Sequence, residues 1–359
     1  MEPLEAYACY NKNLDVRLSS SSGAIFTALA ENMLENNGIV YGVAMTEDCY
    51  GAEFIRVEDK QSLNKLRGSK YLQAKVGYAY KNVKNDLLAG RRVLFSGTGC
   101  QVNGLKNFLG KNYDNLLCVD VICHGAPSPA LWKVYVKHLE IKNQGKLKNV
   151  NFRCKDDSWN DFGMKEVFVD ILQSNKLYIS KDKDTFMQMF LRDYCLRPSC
   201  YECVAKKIKK SDLTIADFWG IGDVAPEMND GVGTSLVLIR TSKGSDFFEK
   251  ISACLELKTV SYQDAVKYNP SEYKSCVRPV QRNSFFHDMH SLSFESFEKK
   301  YVAPIKTSSI AKIKNLTKII LRKIHRTIWR GKHLGDMNYC IYYMFEIREG
   351  INERNTNSI

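Results

Sequence analysis

The chain contains no run of about 18 apolar residues, the length a membrane-spanning helix requires. Its first residues, Met1-Glu2-Pro3-Leu4-Glu5, have neither the basic start nor the apolar stretch of a secretory signal. These absences predict a cytoplasmic protein. No G-x-G-x-x-G follows a predicted strand, so a Rossmann-type NAD site is unsupported. Internal repeats and low-complexity linkers are also missing, and 44% hydrophobic content over 359 residues is enough for a real core. The chain is globular rather than disordered.

What is abundant is cysteine, with 12 in the chain. A reducing compartment disfavours disulfides, which leaves metal binding, catalysis or burial as explanations. Cys9, Cys49, Cys118, Cys254, Cys276 and Cys340 lie singly in apolar or mixed segments and read as small buried hydrophobes. Cys200-x-x-Cys203 has the spacing that turns two sulfurs toward one metal centre, common to zinc and iron–sulfur sites. A zinc ribbon would need a second such pair, and only Cys195 and, further off, Cys154 stand near.

The formal net charge of +12 is partly concentrated near the C-terminus. Residues 310–332 carry Lys312, Lys314, Lys318, Arg322 and further cations without one acidic residue. Ile313, Leu316, Ile320, Ile324 and Ile328 recur there at helical spacing, predicting a basic amphipathic helical tail over 306–359. Such a helix either docks on an anionic membrane surface or packs on the main domain with a charged outer face. Aromatic residues are not interleaved with the cations, so no nucleic-acid partner is expected.

Hydrophobic periodicity outlines the rest. Ser19 to Ser22 and Gly23 precede a helical pattern from Ala24 to Asn36, so the serines read as an N-cap. Ile39 to Met45 and Glu53 to Val57 read as strands. Val93-Leu94-Phe95 is a short buried strand, Gly97-Thr98-Gly99 a tight turn, and Gln101 to Leu109 an amphipathic helix. Leu116 to Ile122 is a second strand, ending at Cys123-His124-Gly125 before a helix around Trp132 to Leu139. Strand, helix, strand in that order implies parallel pairing with a right-handed crossover. Leu213 to Phe218 and Ser235 to Arg240 read as further strands. The expected fold class is α/β, a mixed sheet with a parallel βαβ core flanked by helices, divided as 1–90, 91–305 and the tail 306–359.

In parallel α/β sheets, loops at the carboxyl ends of strands gather into one crevice. Cys100 and Cys123 follow successive strands, so neighbouring strands would open both thiols into that crevice. With Cys200 and Cys203 they suit a 4Fe-4S cluster better than zinc, although core cysteines at strand ends would look the same. Glycines beside Cys100 and Cys123 leave the backbone open for a cofactor. Ser20, Ser21, Ser22 and Gly23 at a helix start offer amides, hydroxyls and a positive dipole end to a pyrophosphate, or are merely a cap. Arg67, Gly68, Ser69 and Lys70 form either a phosphate clamp or a solvated turn.

From Ser19-Ser20-Ser21-Ser22-Gly23-Ala24 onward, the chain resembles the coenzyme F420 hydrogenase/dehydrogenase beta subunit family. The likeness continues through Leu66-Arg67-Gly68-Ser69-Lys70-Tyr71, Phe95-Ser96-Gly97-Thr98-Gly99-Cys100-Gln101-Val102 and Ile122-Cys123-His124-Gly125. It ends with Arg197-Pro198-Ser199-Cys200-Tyr201-Glu202-Cys203 and Ser211 to Gly220. The family usually has proline at Gly99 and glycine at Ala24 and Ala216. The resemblance implies FAD beside a 4Fe-4S cluster on Cys100, Cys123, Cys200 and Cys203, with Gly97 and Thr98 near the cofactor. Asp217, following a strand, either enters the crevice or forms a turn; His124 either relays a proton to a reduced flavin or is structural.

Many relatives begin with a ferredoxin-like segment that is not found here, so a separate electron donor or acceptor is expected, ferredoxin-like or a reduced coenzyme. The implied function is an oxidoreductase passing electrons between FAD and the cluster. Members without that segment are often associated with cell-surface polysaccharide synthesis, which points to a sugar or lipid-linked substrate. Coenzyme F420 does not follow from the family's name. The alternative is a non-catalytic protein stapled by zinc or a cluster.

Overall fold

A computed structural model describes residues 2–156, 159, 162–170 and 174–302. The expected basic tail lies outside the described residues. Residues 1–302 form one compact unit.

Apolar alternation and short buried runs generate the strands of a mixed eight-stranded sheet. They are β1 (Glu5–Asn11), β2 (Ile39–Met45), β3 (Ala52–Val57), β4 (Val93–Thr98) and β5 (Leu116–Val121), then, after the smaller sheet, β9 (Leu213–Asp217), β10 (Ser235–Ile239) and β11 (Leu255–Thr259). Their order is β11-β1-β10-β9-β5-β4-β2-β3. The central strands β2, β4, β5 and β9 pair in parallel, while the outer pairs are antiparallel. This is the expected mixed sheet with a parallel core. β5 and the first half of β4, Val93–Phe95, are buried because helices cover both faces of a parallel sheet, while β4 opens at Ser96–Thr98.

A second, antiparallel sheet is built from β6 (Lys146–Cys154), β7 (Gly163–Val169) and β8 (Ser174–Ser180). The helix Pro129–Asn143, capped by Ser128 and started by Pro129, buries Leu131, Trp132, Tyr135 and Val136 in the same core as Phe152, Met164, Phe168 and Phe186. Helices Arg282–Ser291 and Phe294–Tyr301 add Phe285, Phe297 and Tyr301 to it. Of the single cysteines, Cys9, Cys49 and Cys118 are buried as expected. Cys254 instead stands exposed after the Ser242–Ile251 helix, its thiol donating to Ile251 O at 3.0 Å, Cys276 is only partly buried, and Cys340 lies outside the described residues.

The helix after the serine run spans Ile25–Glu35, close to expectation, but the serines do not cap it. Its N-cap is Ala24, held in the left-handed region at φ 68°. Entry through a left-handed residue turns the preceding side chains away from the first helical amides, and Ser22 Oγ donates across to Thr234 O at 2.8 Å. The Gln101 helix starts earlier than expected, at Gly99, so Cys100 stands in its first turn.

Candidate functional site

β4 and β5 run side by side in parallel, with Thr98 opposite Val121, so both strands end at the same edge. Cys100 lies two residues beyond one strand and Cys123 two beyond the other. Gln101 closes the turn: its side-chain oxygen accepts from Thr98 N at 2.8 Å and from Thr98 Oγ1 at 3.0 Å. Thr98 Oγ1 is also 3.2 Å from Cys100 Sγ.

The Cys200–Cys203 loop is pinned against these turns. Ala126 N donates to Cys200 Sγ at 3.4 Å, and Cys203 N donates to Ser275 Oγ at 3.0 Å. Lys206 donates to the carbonyls of Cys123 and Ser271, clamping the loop to both partners. All four sulfurs come together electrically. Burial, opposed by Lys206 and aided by the charges of Cys100, Cys200 and Cys203, pushes the Cys123 thiol up to about 12. Burial, followed by Cys100 and Cys203, raises Cys200 as well.

A thiol that resists ionisation because of burial and like charge is the arrangement a bound cationic centre relieves. Its width distinguishes the centres. Tetrahedral zinc with Zn–S bonds of about 2.3 Å would draw its sulfurs to roughly 3.8 Å from one another. Among the described residues, no three of these sulfurs lie mutually within 4.8 Å. The four thiols are thus not drawn up as a tetrahedral zinc site.

Beside Cys123 opens a cavity of about 670 Å³. Its wall includes Ser20, Ser21, Ser22, Arg67, Gly68, Ser69, Lys70, Gly97 and Thr98, together with Cys123, His124 and Asp217. Gly23 stands behind this wall, so tightly packed that a Cβ would meet Cys9 O at 2.5 Å. The serine and Arg67–Lys70 segments are joined, with Ser69 N donating to Ser21 Oγ at 2.9 Å. The first-turn amides of Ile25, Phe26 and Thr27 border the cavity without a hydrogen-bond acceptor among the described residues. Two guanidinium nitrogens, Arg67 Nε and Arg153 Nε, are buried without a partner on the same wall. Lys70 Nζ donates to Lys65 O and Arg67 O, and desolvation pulls its ammonium down to about 7. Unanswered donors around a long cavity fit an anionic, phosphate-bearing ligand.

Residues 6–80 match the family model described as coenzyme F420 hydrogenase/dehydrogenase, beta subunit N-term, and residues 90–265 match the companion model for the C terminus of the same beta subunit. The chain belongs to the coenzyme F420 hydrogenase/dehydrogenase beta subunit family. No curated protein matches it. Among solved structures it is similar to a chain of the xenon-derivatised F420-reducing [NiFe] hydrogenase complex from Methanosarcina barkeri, with 16% identity and a TM-score of 0.48, covering 72% of this chain and 82% of that one. Membership of the beta subunit family makes the protein a component of iron–sulfur oxidoreductase chemistry. No helix among the described residues is long and apolar enough to cross a membrane.

In this beta subunit family member, three residues beside the candidate site escape a reading of the sequence. Arg153 comes from an irregular stretch of β6 between Asn151 and Cys154, where the register shift re-aims its side chain into the cavity. It pairs with Asp217 at 2.7 Å and lies over the Phe162 ring at 3.9 Å. Asp217 thus lines the cavity as a guanidinium partner. Asp193 and Cys276 gather on His124, whose Nε2 is 2.7 Å from Asp193 Oδ1 and 3.7 Å from Cys276 Sγ. A cation breaking the alternation of a strand was the one available signal for Arg153; Asp193 and Cys276 carried none.

Proposed function

We propose that Cys100, Cys123, Cys200 and Cys203 hold a 4Fe-4S cluster and that the adjoining cavity holds FAD. The reading is carried by one observation: the cavity walled by the serine turn, Arg67–Lys70 and Gly97–Thr98 opens directly onto Cys123. When bound, the flavin exchanges electrons in pairs and the cluster exchanges them singly, so the two together convert one currency into the other. The protein's own residues bind and orient. Arg67, Arg153 and the amides of Ile25–Thr27 supply donors for a pyrophosphate, and Lys70 becomes fully charged when an anion reaches it. Gln101 fixes the Thr98 turn, which sets the position of Cys100 relative to Cys123.

His124 borders the cavity with Nε2 against Asp193. With Nε2–H donated to that carboxylate, Nδ1 is left as the basic nitrogen able to accept and release a proton. Asp217 acts as a positioning residue through Arg153. The acceptor we carry over from the family resemblance is a sugar or lipid-linked intermediate of cell-surface polysaccharide synthesis, with coenzyme F420 as the competing small-molecule partner. A cytoplasmic location with peripheral membrane contact through the tail belongs to the same reading.

Anaerobic purification of the full chain followed by iron, sulfide, zinc and flavin analysis tests it. Iron and sulfide in equal amounts with bound flavin is the expected result. A colourless protein containing zinc in place of iron would return the cysteines to a structural staple.

A further inference from the structure

Of the four cysteines in the proposed cluster site, Cys100 alone is exposed, so it marks the side on which the thiol group meets solvent. The segments around it are bonded to one another. Asn103 Nδ2 donates to Ile208 O at 2.8 Å, Lys210 Nζ reaches Asn107 Oδ1 at 2.6 Å, and Cys203 N donates to Ser275 Oγ at 3.0 Å. The helix Gly99–Leu109 and the loops 203–210 and 273–282 therefore make one continuous face.

That face is apolar at its high points and cationic around them. Val204 is 62% exposed, Val277 82% and Val280 95%, with Ile208 and Tyr273 also exposed. Single exposed valines need no explanation, whereas several on two bonded loops form a patch. Residues 203–210 contain four lysines, and 273–282 contain Lys274, Arg278 and Arg282, with no Asp or Glu in either stretch. Lys209 is answered by buried Glu272 at 3.0 Å. Lys207, Lys210, Lys274 and Arg278 are exposed, and among the described residues no carboxylate pairs with them. Glu202 flanks the patch at one border.

We infer that this face is the landing surface for a small acidic electron-transfer protein, an inference that rests on the cluster reading above. Cys100 is the most exposed of the four cysteines, so a centre on these sulfurs would meet a partner's redox group on its side. A partner using it meets a small apolar centre ringed by uncompensated cations, which an anionic surface complements. Encounters of this type bury little area and depend on charge for speed and orientation, so a few exposed valines and a basic rim suffice.

The test titrates the anaerobically purified full chain with a small acidic [2Fe-2S] ferredoxin by calorimetry, at about 20 and about 200 mM salt. Binding is expected at low salt and should weaken as salt rises. The Lys207→Glu/Lys274→Glu/Arg278→Glu variant should bind about tenfold or more weakly while keeping its iron. Val277→Ser/Val280→Ser should weaken binding without altering the salt dependence. An iron-loaded chain that ignores the ferredoxin, or a charge-reversed variant with undiminished affinity, overturns the docking surface. Stronger binding to single-stranded DNA or to anionic vesicles than to the ferredoxin overturns it too. A chain that binds the ferredoxin but contains no iron leaves the surface standing and refutes the cluster, because the heat of binding is read without it.

Discussion

Lys70 sits between two states of the cavity wall. Desolvation lowers its ammonium to about 7, so near neutral pH it is only partly charged. An anionic ligand would raise that value, which means binding takes up a proton. Below about 7 the proton is already present and affinity is level; above it, affinity for a phosphate-bearing ligand falls with rising pH. Calorimetric titration of the flavin-free chain with FAD from pH 6 to 9 should show this decline, and Lys70→Gln should flatten it. A wild-type affinity independent of pH would sink the assignment. Among the thiols, Cys123→Ser should abolish iron loading, whereas Cys276→Ser should retain it, as read by iron content after anaerobic purification. Cys276 Sγ donates to His124 O at 3.0 Å, although it also feels the charge of Cys123; equal loss in both variants would place it among the ligands.

The elements carry their own tensions. On β7, Glu166 is completely buried with both oxygens unpartnered, beside Asp184 and the Tyr135 hydroxyl that Asp184 accepts. Desolvation, then the charge of Asp184, pushes Glu166 up to about 8, and desolvation raises Asp184 to about 6. The folded state holds the Glu166 proton more tightly than the unfolded chain, whose carboxyl titrates near 4.5. Its contribution to stability is fully present below about 4.5 and is lost as pH rises toward about 8, amounting to a few kcal/mol at most. Glu166→Gln should therefore raise Tm relative to wild type more at pH 8 than at pH 5. Equal differences at both pH values in thermal melts would refute the buried-proton account. Gly220, which follows β9 at φ +77°, is a second case: a Cβ there would collide with the Tyr268 ring. Gly220→Ala should lower stability by about 1–3 kcal/mol, measured by denaturant unfolding, because it combines left-handed strain with displacement of a cavity-lining side chain.

At the scale of the whole molecule, β1 lies between β10 and β11, so the first strand of the chain closes the last part of the sheet. Removing residues 1–11 would strand β11 and expose the hydrogen-bonding edge of β10. The truncated chain should lose its cooperative thermal transition by circular dichroism; a transition at unchanged temperature would show the sheet to be independent of β1.

Read alone, the sequence determined the parallel core, because apolar runs ending at Phe95 and Ile122 with an amphipathic helix between them leave one handed way to pair. It also placed Cys100 and Cys123 at one sheet edge and marked Cys200 and Cys203 as a pair, since spacing and strand ends are local properties. Only the tertiary structure brought the pair to that edge, because the Lys206 clamp and the Cys203–Ser275 bond join segments distant along the chain. It alone chose between the two readings of the serines, cavity wall or helix cap, because the left-handed Ala24 that takes the cap position cannot be read from a side-chain pattern. Arg153, Asp193 and Cys276 belong to the same class: each acquires its role from neighbours that periodicity does not encode.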